Sequence, residues 1–173
     1  MATGLKLTLQ RIWWRHQARH PALQALLREP IQQRPFNASR YVVIDLETTA
    51  LQPTAGEIAS IAWVVIEQGA IHLNQSCYFH LALNREVGQS AVFHQLTDTD
   101  LEQGVNIKVA LEALLDALPN SILVFHNAQL DMGFINQAMR TVWGAPLLMP
   151  VVDTLQVERK RLLQRSAAIQ AGA

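Results

Sequence analysis

Tyr41-Val42-Val43-Ile44-Asp45-Leu46-Glu47-Thr48-Thr49-Ala50-Leu51 is the stretch that decides how this chain folds. It opens with a β-branched apolar run short enough to be a buried strand. Side chains two apart on a strand share a face, so Asp45 and Glu47 project together while Ile44 and Leu46 turn to the core. Carboxylates at the end of an apolar strand are costly unless something cationic pairs with them. No Lys or Arg lies close in sequence, and hard divalent cations such as Mg²⁺ prefer oxygen ligands. The competing reading is simple hydration at a fraying strand end, and a D-x-E pair alone does not separate the two.

Downstream, residues 57–66 form a second apolar run that ends before a Gln68-Gly69 turn, and a third strand-like stretch covers about 70–80. Short connections predict an antiparallel meander of these three strands. Residues 107–118 follow a helical period through Val109, Leu111, Leu114, Leu115 and Leu118, stopped by Pro119-Asn120. Ser121–Phe125 reads as a fourth strand, 128–142 as a helix, Val151-Val152 as a short fifth strand and 154–165 as a basic helix. The tail Ser166–Ala173 is small and polar and reads as a loop. Upstream, Leu5, Leu9, Ile12 and Trp13 mark one helix, and Pro21 starts another with Leu23, Leu26 and Leu27 on one side. Pro30 and Pro35 break the pattern. The expected division is a basic helical N-terminal extension over 1–36 and a domain over 37–173. The element order predicts an α/β class with a mixed sheet flanked by helices.

Half of the 173 residues are hydrophobic and 16% are charged, which excludes a largely disordered chain. No apolar run reaches the roughly 18 residues of a membrane span, so no membrane partner is expected. Cys77 is the only cysteine, which excludes an internal disulfide and points to a reduced, cytoplasmic setting. The net charge of zero hides an asymmetry, because residues 1–40 hold seven basic side chains against the single acid Glu29. Such an arm suits contact with phosphate or is a solvated helix face.

Asp45-Leu46-Glu47-Thr48-Thr49-Ala50-Leu51 closely resembles the D-x-E-T-T-G-L segment of the DEDD-type 3′→5′ exonuclease superfamily, which includes the proofreading epsilon subunit of bacterial DNA polymerase III and ribonuclease T. His126-Asn127-Ala128-Gln129-Leu130-Asp131-Met132-Gly133-Phe134 is similar to the family's H-N-A-x-F-D-x-x-F. Phe93-His94-Gln95-Leu96-Thr97 resembles its H-x-I-T stretch, and Asp153-Thr154-Leu155 falls where it has D-T-L. Four ordered matches between residues 41 and 155 are far more specific than one D-x-E.

The resemblance implies a ribonuclease-H-like fold and a hydrolase that removes 5′-mononucleotides from nucleic-acid 3′ ends. It implies that Asp45, Glu47 and Asp131 are the catalytic carboxylates and hold two divalent ions, Mg²⁺ or Mn²⁺. Thr48, Thr49, Ala50, Leu51, His94 and Asn127 are then the substrate-binding positions. The implied partners are a single-stranded 3′ end, DNA ahead of RNA, and a DNA polymerase. Asp153 is expected to cap the following helix rather than to bind metal. The chain departs from the pattern in three places. Ala50 replaces a glycine, where a positive φ would be strained, and Leu130 replaces an aromatic. The family's closing H-x(4)-D is not found, since no histidine follows His126 and no aspartate follows Asp153. The expectation is a C-terminally truncated nuclease that lacks the family's final catalytic His and Asp, so the resemblance does not imply activity of this chain alone. The alternative is a non-catalytic nucleic-acid- or polymerase-binding module on a nuclease fold.

Overall fold

The computed structural model describes residues 2–31, 34–83 and 104–171. The elements are α1 (Ala2–Gln17), α2 (Pro21–Arg28), a 3-10 turn (Phe36–Ala38), β1 (Arg40–Thr48), β2 (Ile58–Glu67), β3 (Ala70–His80), α3 (Ile107–Ala117), β4 (Ser121–Phe125), α4 (Ala128–Trp143), β5 (Val151–Asp153) and α5 (Thr154–Ala171). One five-stranded sheet runs in the order β3-β2-β1-β4-β5. The β1–β2 and β2–β3 pairs are antiparallel, and β4 and β5 continue the sheet parallel to β1. The mixed sheet flanked by helices is the one the sequence predicts.

Register places the apolar residues on one face. Val42 lies opposite Val65, Ile44 opposite Trp63 and Leu46 opposite Ile61, and Leu123 of β4 continues the Val42 row. All are buried and join Leu111, Leu114 and Leu115 of α3 with Phe134, Ile135 and Met139 of α4 in one core. Each such side chain contributes about 1.5–3 kcal/mol on burial. The alternate residues Val43, Asp45 and Glu47 face the other way, beside Val64, Ala62 and Ser60. Antiparallel pairing thus sets both carboxylates of β1 on the side away from the packed helices, as the two-residue period requires.

The N-terminal helices belong to the same core, which takes in Leu23, Leu26 and Leu27 of α2. Arg11 of α1 is not a solvated cation. It is only 5% exposed and donates to the carbonyls of Leu26 (2.5 Å) and Glu29 (2.7 Å) at the end of α2. A cation there satisfies carbonyls that the helix leaves unpaired and complements its dipole. Burial lowers the Arg11 pKa, partly offset by the charge of Glu29. At the far end, the left-handed Gly144 (φ 78°) closes α4, and a Cβ on it would lie 3.0 Å from the Gln17 carbonyl.

The tail corrects the sequence reading. Residues 166–171 continue α5 rather than forming a loop. Ala167, Ala168, Gln170 and Ala171 are good helix formers, so backbone propensity carries the helix on without an apolar stripe to bury. No helix among the described residues is long and apolar enough to cross a membrane.

Arg11→Ala should cost on the order of 2–4 kcal/mol, because one buried and one partly buried carbonyl lose their charged donor. Urea denaturation of the variant beside the parent checks this, and an unchanged midpoint would mean that water replaces the guanidinium.

Candidate active site

The parallel pairings bring the C-terminal ends of β4 and β5 level and carry β1 past them. Val43 lies beside Val124, and Phe125 beside Asp153. Asp45 therefore emerges two residues past the last β1–β4 pair, next to the turn at His126-Asn127, with Asp153 ending the neighbouring strand. Ligand sites of open α/β sheets characteristically form at this carboxyl edge. A register irregularity between Glu47 and Thr48 ends the regular pairing of β1 with β2 and redirects the chain into the following loop.

Asp131 sits in the first turn of α4 and is 6% exposed. Its pKa is pushed up to about 6, first by burial, then by the charges of Asp45 and Asp153, with His126 pulling the other way. Residues distant in sequence are thus brought close enough to repel one another. The helix N-terminus favours an anion, but here desolvation and like charge prevail. Asp45 is exposed and Glu47 half-buried. Among the described residues no three His, Cys, Asp or Glu side chains form a ready-made metal cluster. The donors are carboxylate oxygens, the set a hard divalent ion takes, so the residues present fit Mg²⁺ or Mn²⁺.

Thr48, Thr49, Ala50 and Leu51, the positions expected to meet substrate, begin a closed loop that follows the carboxylates of β1. The Thr48 hydroxyl donates to the Ala50 carbonyl (2.8 Å), and the Thr49 hydroxyl accepts from the Glu57 amide (2.9 Å). The Thr49 amide also donates to the Glu57 carbonyl at 3.0 Å. Leu51, at the tip, is 84% exposed. Ala50 is not among the residues with positive φ, so the strain expected there is absent. The glycine requirement has moved to Gly56, where a Cβ would lie 2.7 Å from Ala50 Cβ. A Cβ on Gly133 would lie 2.8 Å from Pro53 Cγ, so this glycine lets the loop close on the helix that carries Asp131. Neither role was read from the sequence. A glycine inside a helical pattern, two residues after Asp131, was the available signal.

Asn127 adopts a left-handed conformation (φ 76°, ψ 58°) ahead of α4 and makes no side-chain cap. Its amide donates to Asp153 Oδ1 at 3.2 Å. The same oxygen accepts from the amides of Leu155 (3.0 Å) and Gln156 (3.4 Å), which is the capping role expected of Asp153. His94 and the 93–97 match lie outside the described residues.

In chelator, the raised pKa of Asp131 makes a signed prediction. The folded state holds this proton more tightly than the unfolded chain, so its contribution favours folding at low pH and is lost as pH rises through about 6. Asp131→Asn should gain stability over the parent by about 1–2 kcal/mol more at about pH 7.5 than at about pH 4.5. Thermal or urea unfolding of both proteins at the two pH values measures this, and a pH-independent difference would contradict it.

Similarity to known proteins bears on the family and the fold. The exonuclease family model matches residues 42–171. The chain is 30% identical over 150 residues to a PolC-type DNA polymerase III of Thermotoga petrophila, spanning 86% of this chain and 11% of that protein. It is 30% identical over 135 residues to the DNA polymerase III epsilon subunit of Buchnera aphidicola, spanning 72% of this chain and 56% of that one. The chain thus covers less than two thirds of the length of these relatives. Among solved structures, the metal-free complex of E. coli exonuclease I with single-stranded DNA superposes with a TM-score of 0.60 at 15% identity, over 70% of this chain and 29% of the other. The likeness there is one of fold. With the family model matched from β1 through α5, this chain belongs to the exonuclease family, of the DEDD type that its Asp45–Leu51 and His126–Phe134 segments resemble.

Proposed function

We propose that this chain hydrolyses nucleic acid from the 3′ end, releasing 5′-mononucleotides, with Asp45, Glu47 and Asp131 as carboxylates that hold two divalent ions. The observation that carries the reading is the placement of Asp45 past the end of the β1–β4 pairing, beside Asp153 at the end of β5 and the buried Asp131 in the first turn of α4. Acids from β1, α4 and β5 converge on the carboxyl edge of the sheet, where a cation would relieve their repulsion. Bound there, the ions would supply an activated water and neutralise charge as it develops on the leaving oxygen. Asp45, Glu47 and Asp131 would hold the ions next to an anionic phosphate and would form no covalent bond to it. Leu51, exposed at the tip of the Thr48–Gly56 loop, offers an apolar wedge for the terminal base. Thr48 and Thr49 hold that loop in shape through their hydroxyls.

The substrate we favour is a single-stranded DNA end, with a DNA polymerase as partner. The similarity to DNA polymerase III components supports both assignments, as does the single-stranded DNA bound by exonuclease I in its solved complex.

A 5′-labelled single-stranded oligonucleotide incubated with the chain and Mg²⁺ or Mn²⁺ should shorten stepwise from its 3′ end. Asp45→Ala should slow this by about 10²-fold or more. Equal digestion by parent and variant, or shortening from the 5′ end, would overturn the proposal.

A further inference from the structure

Two side chains at the start of α5 are tied to the segment that launches the Asp131 helix. His126 Nδ1 lies 3.0 Å from Thr154 Oγ1, and the Thr154 hydroxyl donates to the Phe125 carbonyl at 3.0 Å. A hydroxyl has one proton and a carbonyl can only accept. With the Thr154 proton spent on Phe125, the ring must donate from Nδ1. A neutral His126 is thereby held as the Nδ1–H tautomer, the minor form for an imidazole side chain in water, and Nε2 is left as an acceptor. His126 is exposed, so that acceptor is open to a ligand.

One residue earlier, Asp153 acts on the backbone. Its Oδ1 takes the amide of Asn127 together with two amides of α5. Asn127 has positive φ, a conformation that Asn tolerates better than most residues but that still needs support. Its carbonyl accepts from the Leu130 amide at 3.0 Å in the first turn of α4, immediately before Asp131. The pairs His126–Thr154 and Asn127–Asp153 form one brace across the ends of β4 and β5.

We propose that Asp153 and Thr154 are positioning residues for the candidate centre. Thr154 fixes the His126 tautomer so that Nε2 receives a hydrogen-bond donor of the bound strand, and Asp153 locks the left-handed turn from which Asp131 is presented. Phosphate oxygens only accept, so a bare Nε2 discriminates against them. It takes a sugar hydroxyl, a base N–H or an ordered water instead. This rests on the nucleolytic reading for its ligand, but the brace is testable without it.

The test is a two-bond proton–nitrogen correlation spectrum of the ¹⁵N-labelled full chain, under conditions where the histidine rings are neutral. The parent should show His126 with Nδ1 protonated and Nε2 bare. Thr154→Val, similar in shape but lacking the hydroxyl, should return the ring to the Nε2–H form, and Thr154→Ser should restore the parent pattern. Amide exchange reads the second half. Asp153→Ala should speed exchange at Asn127 by at least about 10-fold, whereas Asp153→Asn, which keeps the accepting oxygen, should leave it slow. The Ser and Asn variants also control for loss of fold. Oligonucleotide digestion run alongside should fall about 10–100-fold in Thr154→Val and recover in Thr154→Ser. An Nε2–H tautomer in the parent, or one indifferent to Thr154→Val, overturns the proposal. Absence of digestion by the parent, with the tautomer as expected, defeats the nucleolytic reading and leaves the brace standing.

Discussion

The parallel register of β1, β4 and β5 is the constraint on which the rest depends. Because Val43 pairs with Val124 and Phe125 with Asp153, β4 and β5 end level at one edge while β1 runs on past them to Thr48. Asp45, the His126-Asn127 turn and Asp153 arrive there together. Asp131 follows within the first turn of α4. A one-residue slip of β1 would send Asp45 and Glu47 into the core and Ile44 and Leu46 out. The apolar pairs Ile44–Trp63 and Leu46–Ile61 therefore hold the carboxylates in place.

Gathering acids costs stability, and the fold meets that cost locally. Asp131 carries the largest share, being buried and facing two like charges. Asp153 is compensated by three backbone amides. Elsewhere charge serves structure, as where Arg11 takes carbonyls at the end of α2. The same residue type that composition assigns to a basic arm is here a buried fastener, and the difference is made by α1 packing against α2.

The strands, their succession along the chain and the Asp45–Glu47 face were legible because each depends on neighbours in sequence: alternation for β1, a helical period for α3, Pro119-Asn120 for the break. What was missed depends on contacts between distant segments. Gly56 matters because Ala50 lies against it, and Gly133 because Pro53 does. Arg11 matters because α2 ends beside it. The strain foreseen at Ala50 did not arise, since the loop closes through Thr49 and Glu57. The helix over residues 166–171 has no apolar stripe to mark it and rests on alanine-rich propensity alone.

The most direct measurement of the central claim, that Asp45, Glu47 and Asp131 form a divalent-ion centre, is a Mn²⁺ titration of the chain followed by electron paramagnetic resonance. The account predicts saturable binding that weakens about 10-fold or more in Asp45→Ala and in Asp131→Asn, and that Mg²⁺ displaces. Binding unaffected by either substitution, or no saturable binding at all, would contradict it.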